Sequence, residues 1–212
     1  MAKVRKKQVR DAEGSRRRLL EAGLKVFSER GPAGGSVSMI AREAGINRRM
    51  LYHYFGSKEG LYRAAFRHAY EQLSFAEIGL ADMALSAEEL LARLIRHYAE
   101  FHATHPHHVR LLMWENLRQG KAARELHIGD IKAPIMEALR AALDRGRREG
   151  RFRADVDERR LLISCMALSF FCHSNRYTIA EALGSDLGDG EVARAQVEHN
   201  VKMVLDGIRT RG

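Results

Sequence analysis

The most constraining feature of the sequence is a pair of short segments that are separated by Gly45 and closed by Gly56. The first segment places apolar residues at the three- and four-residue spacing of a helix: Val37, Ile40, Ala41 and Ala44. The second begins at Asn47, a good helix N-cap, and carries Leu51 as its apolar contact. Two short helices joined by a tight, glycine-containing turn constitute a helix-turn-helix. The sequence therefore predicts that motif between residues 36 and 56.

The rest of the chain also predicts helices. Residues 86–89 form a capping box, Pro106 stands where a helix can begin, and Asp157 precedes an apolar segment that predicts one helix to about Leu183. Strand patterns are scarce, and the chain contains three prolines. We therefore predict an all-α fold of about nine helices, in which a three-helix head precedes a larger C-terminal helical domain.

Positive charge is concentrated at the start of the chain. Residues 1–60 hold 14 lysines and arginines against six acidic residues, a net charge of +8, whereas the whole chain carries +9. Such an asymmetry is typical of a protein that neutralises phosphates with one end. We predict a basic flexible arm at 1–10, a DNA-binding domain at 11–56 and a C-terminal domain at 57–212, to which the family resemblance described below assigns regulation and dimerisation.

Cysteine use and hydropathy indicate a cytoplasmic protein. Cys165 and Cys172 lie seven residues apart in a predicted helix, too far for a disulfide. No apolar segment typical of a signal peptide follows the N-terminus. The longest uncharged apolar run, from Leu161 to Cys172, is twelve residues long, well below the roughly 20 residues that a membrane span needs. We expect no membrane partner.

The helix-turn-helix segment closely resembles the tetracycline-repressor (TetR) family of transcription regulators. The resemblance covers roughly residues 15–65 and is carried by dipeptides and tripeptides at that family's spacings: Ile40-Ala41, Ala44-Gly45-Ile46, Leu51-Tyr52, Tyr54-Phe55 and Ser57-Lys58-Glu59, with Phe27 and Gly31 upstream. It implies a ligand-responsive repressor that binds a palindromic operator in double-stranded DNA as a homodimer. A ligand-responsive activator is the first alternative, because no feature of the sequence indicates the sign of regulation.

The resemblance also indicates which residues contact DNA. Arg48 and Arg49 open the third helix, where arginine can bind guanine in the major groove; Met50 could meet a thymine methyl group or pack inward. The remaining predicted contacts go mainly to phosphates or support the recognition helix: Ser36, Ser38, Asn47, Tyr52, His53 and Lys58. Because Asn47 and Arg49 depart from the residues common in relatives, the operator sequence cannot be carried over.

The C-terminal domain carries no motif of its own, and its expected roles come from the resemblance. An unknown small-molecule effector would bind among residues that combine aromatic bulk with polar tips: Tyr98, His102, Met113, Trp114, Met166, Phe170, His173 and Tyr177. Each of these residues could instead fill the core. The last helix, Glu191 to Arg209, offers an apolar stripe for dimerisation or for packing within its own subunit: Val197, Val201, Val204, Leu205 and Ile208.

Other functions receive less support from the sequence. Five histidines suggest a metal site, but no pair stands at four-residue spacing with a nearby carboxylate: His97, His102, His105, His107 and His108. We predict neither a metal nor a cofactor. The chain lacks GxSxG, GxxxxGK[ST] and HExxH motifs, so a helical enzyme is a weak alternative, as is a nonspecific binder that uses only its basic segment.

Overall fold

The computed structural model describes residues 2–81 and 85–210, with side chains from residue 12 onward except at 76, 78, 80 and 81. This part of the chain contains eleven helices: α1 (Ala2–Gly34), α2 (Val37–Ala44), α3 (Arg48–Phe55), α4 (Lys58–Ala81), α5 (Ala87–Thr104), α6 (Pro106–Leu117), α7 (Lys121–Glu125), α8 (Gly129–Arg148), α9 (Glu158–Ser174), α10 (Arg176–Leu183) and α11 (Gly190–Ile208). The prediction of an all-α fold is confirmed.

Several helix boundaries follow from the residues that the sequence marks. Ser86 and Glu89 form the reciprocal capping box of α5, and the Asp157 carboxylate caps α9 by accepting from the Arg160 N–H. Proline is the first residue of α6, where it removes no helical hydrogen bond. The basic segment for which the sequence predicts a flexible arm continues α1 from Ala2, because no proline or glycine interrupts the helix before Gly14.

The helix predicted from Asp157 to about Leu183 is wrong, because Asn175 divides it into α9 and α10. Asn175 has φ −113° and ψ 11°, outside the helical range, and its side-chain amide donates to the Ser174 hydroxyl. Serine and asparagine bond readily to local polar groups outside a helix, which explains a break at this pair. Gly120, in a left-handed conformation, separates α7 from α6, and His127, with φ 49°, lies between α7 and α8.

The helices form two compact units. The first comprises Met1–Tyr70 and Arg110–Ile128, and the second comprises Glu71–Val109 and Gly129–Gly212. The first unit buries residues of α1 to α4 with Leu111 and Ala122, and the second buries residues of α5, α8, α9 and α11. The sequence predicts a head that ends near residue 56, whereas the compact unit also includes the start of α4 and residues 110–128. Among the described residues, no helix is both long enough and apolar enough to cross a membrane.

Gly31 shapes the end of α1. Its φ of 69° and ψ of 167° interrupt the helix before Pro32, and this backbone region is accessible essentially only to glycine. A Cβ atom at Gly31 would lie 3.0 Å from the indole ring of Trp114, which packs directly over it. The indole N–H also donates to the Ser28 carbonyl over 3.2 Å. Glycine at position 31 therefore provides both the bend and the space for Trp114.

Gly31→Ala is expected to lower the free energy of unfolding by about 2–3 kcal/mol, because it combines an unfavourable backbone conformation with a close approach to Trp114. Gly34→Ala is the matched control, since its Cβ would lie at an ordinary 3.5 Å from the Arg30 Cβ atom. Urea denaturation of both variants at one protein concentration tests this expectation. Equal stability of the two variants would contradict it.

Candidate nucleic-acid interface and ligand site

The turn between α2 and α3 is held by side-chain caps and one left-handed glycine. The Ser36 hydroxyl accepts a hydrogen bond from the Met39 N–H over 3.2 Å, and the Asn47 side chain accepts from the Arg49 N–H over 2.9 Å. Between the helices, Gly45 has φ 64° and ψ 32°, a conformation in which a side chain would be strained. These local bonds fix the relative orientation of α2 and α3.

Burial then determines which side of α3 faces solvent. Leu51 is completely buried, and Ile40 of α2 is buried in the same apolar cluster with Leu19 and Phe27 of α1. Lys25 of α1 and Glu43 of α2 add an ion pair at 2.5 Å on the surface. Because α3 has eight residues and buries only one of them, most of its surface is available to a partner.

The exposed side of α3 carries the predicted DNA contacts. Arg48, Arg49 and His53 are exposed, and Tyr52 exposes 53% of its surface although it is aromatic. Residues four apart share a helix face, so Arg48 stands beside Tyr52 and Arg49 beside His53. The Arg48 guanidinium donates to the Ser38 hydroxyl on α2 over 3.2 Å. No acidic residue lies in α3, so this surface is suited to an anionic partner.

The other predicted DNA contacts differ in exposure and in the bonds that their side chains already make. Ser36 and Asn47 are exposed, but an oxygen of each side chain is used as a helix cap. Met50 is half-buried and packs against the apolar cluster of the first unit, which favours the inward alternative for its side chain. Lys58 is half-buried at the start of α4, where the positive end of the helix dipole adds to its charge.

A buried polar network that is not among the predicted sites links α4 to α6 and α7 within the first unit. The Glu115 carboxylate is 3% exposed and accepts from the Tyr62 hydroxyl at 2.8 Å and from the Ala122 N–H at 2.5 Å. Arg118 donates to Glu59 at 2.5 Å and lies over the Tyr62 ring at 4.4 Å. Burial and the bond to Glu115 raise the pKa of Tyr62. The one signal of this network in the sequence is the three-residue spacing of the opposite charges Glu115 and Arg118.

The eight predicted ligand contacts do not form one group. Trp114 lies in the first unit against Gly31, and Met113 is exposed in that unit. Tyr177 belongs to the second unit but is 65% exposed, with the Arg176 guanidinium 4.4 Å from its ring centre. The remaining five lie within the second unit, on α5 and α9: Tyr98, His102, Met166, Phe170 and His173.

His102 is the centre of this remaining group. It is 4% exposed, and its ring centre lies 5.5 Å from that of Phe170, 5.8 Å from that of His173 and 6.4 Å from that of Tyr98. Its ring also stacks with that of His108 at 5.6 Å. The structure therefore brings together aromatic residues of α5, α6 and α9 that are distant in sequence.

A buried ion pair adjoins these rings. Glu77 is 1% exposed, and its Oε1 accepts from the Tyr98 hydroxyl at 2.6 Å and from the Lys132 ammonium at 2.5 Å. Burial lowers the pKa of Lys132, whereas Glu77 opposes that shift. Tyr98 is among the ligand contacts predicted from the sequence, but Glu77 and Lys132 are not, because they are 55 positions apart and share no motif.

The buried histidines are neutral at physiological pH. Burial is the main cause that lowers the pKa of His102 and of His108 to about 3, and neighbouring histidines and Lys132 add to the effect. Burial also lowers the pKa of His97 and His173. In the part of the chain that the structure describes, no three His, Cys, Asp or Glu side chains form a group suited to a metal ion.

A cavity of about 400 Å³ opens beside His173. Residues of α5, α9 and α11 line it, among them Ala99, Cys172, Val197 and Asn200. Its volume falls within the range of small-molecule pockets. Of the predicted ligand contacts, His173 is the one that lines this cavity.

The predicted apolar stripe of the last helix packs largely within its own subunit. Val201, Val204 and Ile208 are buried in the core of the second unit. The exposed apolar side chains of this region instead include Ile163 and Phe171 of α9, at 65% and 55% exposure. Met203 of α11 is 46% exposed and lines a shallow groove with residues of α9.

The pKa values of the buried histidines predict a loss of stability in acid. The folded pKa of His102, about 3, lies below the unfolded value of about 6.5. The unfolded chain therefore binds more protons as the pH falls, and the free energy of unfolding should decrease by roughly 1.5 kcal/mol through His102 between pH 6.5 and 5.0.

His102→Phe is expected to flatten this pH dependence by that amount, measured by urea denaturation at each pH. His199→Phe, at an exposed position of α11, controls for the loss of a histidine. An unchanged pH dependence in His102→Phe would contradict the expectation.

Comparisons with known proteins match both parts of the chain. Residues 19–65 match the family described as bacterial regulatory proteins, tetR family, and residues 88–204 match the tetracyclin repressor-like C-terminal domain. The chain is 32% identical over 203 residues to the HTH-type transcriptional repressor NicS of Pseudomonas putida, with 95% of this chain and 96% of NicS covered. These matches confirm the predicted family and the prediction of a regulator rather than an enzyme.

Solved structures support the fold independently. The ketosteroid transcriptional regulator KstR2 of Mycobacterium tuberculosis superposes with a TM-score of 0.68 at 25% identity, covering 92% of this chain and 95% of KstR2. The transcriptional regulator FadR of Bacillus subtilis, solved in complex with stearoyl-CoA, gives a TM-score of 0.70 at 21% identity, with 90% and 98% covered. The chain belongs to the TetR family of DNA-binding transcription regulators.

Proposed function

We propose that the protein is a ligand-responsive repressor that binds a palindromic operator as a homodimer. The observation that carries this proposal is the exposed surface of α3, on which Arg48, Arg49, Tyr52 and His53 stand together and no carboxylate intervenes. A short helix that is anchored by one buried leucine and covered with such side chains fits the major groove of DNA.

The side chains of α3 divide into two roles. Arg48 and Arg49, at its first turn, read base edges, since a guanidinium pairs in bidentate fashion with guanine. Tyr52, His53 and Lys58 hold phosphates and set the register of the helix in the groove. The bond from Arg48 to the Ser38 hydroxyl restrains the arginine before DNA is bound. Arg49 therefore provides the cleaner test of base recognition.

Two considerations support the proposed dimer: the symmetry of a palindromic operator and the exposed apolar surface of the second unit. One helix-turn-helix covers one half-site, so a palindrome requires a two-fold pair of heads. Ile163 and Phe171 of α9 and Met203 of α11 expose apolar surface that a second copy of the chain would bury. This surface replaces the buried stripe of α11 as the proposed interface.

Regulation requires an effector that distinguishes two states of the protein. We place the effector in the second unit, near the buried rings around His102. An effector that releases the operator must bind the DNA-free state more tightly, and by reciprocity DNA must weaken effector binding by the same factor. The relative NicS is named a repressor, which supports repression; activation by the same coupling is the alternative.

Selection from a random duplex library tests the DNA-binding function. Repeated selection with the full chain should enrich an inverted repeat whose half-sites are separated by whole turns of DNA. Affinity for the selected duplex should exceed that for random duplex by at least about 10³-fold at physiological salt. Enrichment of no sequence, with equal affinity for all duplexes, would overturn the proposal and favour a nonspecific binder.

Arg49→Ala is expected to cost about 1–3 kcal/mol on the selected operator and to relax the preference at one base position. Tyr52→Phe should instead weaken operator and random duplex alike, because its hydroxyl holds a phosphate. Arg159→Ala, which removes an exposed arginine from α9, controls for net charge. Fluorescence anisotropy on both duplexes provides the measurement. If Arg49→Ala weakened both duplexes equally, its role in base recognition would be refuted.

Phe171→Glu is expected to dissociate the dimer and to weaken operator binding at least about tenfold, because a carboxylate cannot be buried against a second copy without a partner. Leu117→Glu, at an exposed apolar residue of the first unit, is the matched control. Analytical ultracentrifugation and operator titration test both variants. A Phe171→Glu protein that remains dimeric would rule out this interface.

A further inference from the structure

Polar atoms on α4 and α5 are buried in the second unit without a hydrogen-bond partner among the described residues. They are the Ser74 Oγ, the Glu77 Oε2, the His97 Nε2 and both ring nitrogens of His102. Glu77, Ser74 and His102 are 1%, 2% and 4% exposed. Leaving one such atom unpaired costs about 1–3 kcal/mol. Tyr98 brings Glu77 and His102 close to each other, since its hydroxyl donates to the Glu77 carboxylate over 2.6 Å and its ring centre lies 6.4 Å from that of His102.

The hydrogen bonds that these side chains already make determine whether each remaining atom can act as a donor or an acceptor. The Glu77 Oε1 already receives bonds from Tyr98 and Lys132, so its Oε2 can only accept one from a further donor. His97 bonds to the backbone of Leu73 through its other nitrogen, which leaves its Nε2 as an acceptor. Neutral His102 offers one donor and one acceptor. A partner of this group must therefore supply at least one N–H or O–H and one acceptor atom.

The charges around these atoms are already balanced. Glu77 carries a negative charge and Lys132 a positive charge at 2.5 Å, and the neighbouring histidines are neutral. The walls beside His102 are aromatic, since the rings of Phe101 and Phe170 lie about 6 Å from it. A charged ligand would be desolvated here without an unused counterion, which is costly.

We propose that Glu77 and His102 recognise the effector, and that this effector is an uncharged small molecule which donates a hydrogen bond to Glu77 and bonds to a ring nitrogen of His102. The proposal rests on the effector-dependent regulation proposed above and adds its chemistry. Glu77 and His102 provide polarity and direction, whereas Tyr98, Phe101 and Phe170 provide the apolar contact. An anion such as a free carboxylate would meet the unpaired oxygen of Glu77 and be repelled.

Four small ring compounds of similar size distinguish the chemical classes. δ-Valerolactam is uncharged and has a donor and an acceptor, N-methyl-δ-valerolactam lacks the donor, piperidine is a cation at pH 7.5, and cyclopentanecarboxylate is an anion. Saturation-transfer NMR and thermal shift with the full chain at millimolar probe concentrations should give a Kd for δ-valerolactam at least tenfold lower than for the other three. Tighter binding of a charged probe, or no binding of any probe, would overturn the proposal, the latter by indicating that water alone fills the site.

Two variants locate the binding. His102→Phe keeps a ring but removes both nitrogens, and Glu77→Gln keeps the shape but removes the charge; each should weaken δ-valerolactam at least tenfold. Because Glu77→Gln leaves Lys132 without its carboxylate, circular dichroism must first show that this variant is folded, and His102→Phe decides the question if it is not. His199→Phe is the control and should bind the lactam as the wild type does. Unchanged lactam binding in His102→Phe would refute the proposal.

Operator binding, measured without any probe, distinguishes a failure of the proposed effector chemistry from a failure of the proposed repressor function. If the chain selects an operator but shows no preference for the uncharged donor, only the effector chemistry fails. If the chain binds the lactam through His102 but selects no DNA sequence, the proposed repressor function fails while the site remains.

Discussion

A buried carboxylate is stable only when it accepts hydrogen bonds, and the donors to Glu115 explain why residues 110–128 belong to the first unit. Its oxygens accept from Tyr62 on α4 and from the first N–H groups of α7, and Arg118 completes the group through Glu59. Because Glu115 and Tyr62 are buried, removal of any partner would leave a charge or a hydroxyl unpaired in the protein interior. The segment 110–128 is therefore joined to α4 by polar bonds, and Leu111 and Ala122 add apolar contacts within the core of the first unit.

The buried carboxylate of the second unit, Glu77, has a different hydrogen-bond pattern. Glu77 has two donors on one oxygen and none among the described residues on the other. Fully satisfied networks rigidify a core, whereas incompletely satisfied ones are destabilising unless something else binds there. The contrast between Glu115 and Glu77 separates a polar group that maintains the fold from one that is available for recognition.

Local patterns in the sequence are sufficient to predict the helix-turn-helix and most helix ends. The spacing of Ile40, Ala44 and Leu51, with the caps Ser36 and Asn47, determines α2 and α3 through interactions between near neighbours, so a single sequence can reveal them. The resemblance to TetR regulators added the roles of the exposed residues. The break at Asn175 was missed because the flanking apolar residues continue on both sides and only two weak helix formers mark it.

Long-range contacts could not be predicted in the same way. Trp114 resembles a ligand-binding residue in the sequence, yet its ring covers Gly31, 83 positions earlier in the chain. The stripe of α11 gives the same pattern whether it meets its own core or a second copy, and only the burial of Val201, Val204 and Ile208 distinguishes these cases. Glu77, Tyr98 and Lys132 come from three helices whose packing no local pattern encodes.

The α2–α3 turn is stabilised by residues other than the exposed side chains of α3 that we propose contact DNA. Leu51, Ile40, Gly45 and the two caps hold the motif, whereas the side chains of Arg48, Arg49, Tyr52 and His53 contribute little to the core. Substitutions on the exposed surface can therefore accumulate with small effects on folding. Descendants of this protein can acquire new operators one position at a time, because the evolution of sequence preference is uncoupled from the maintenance of the scaffold.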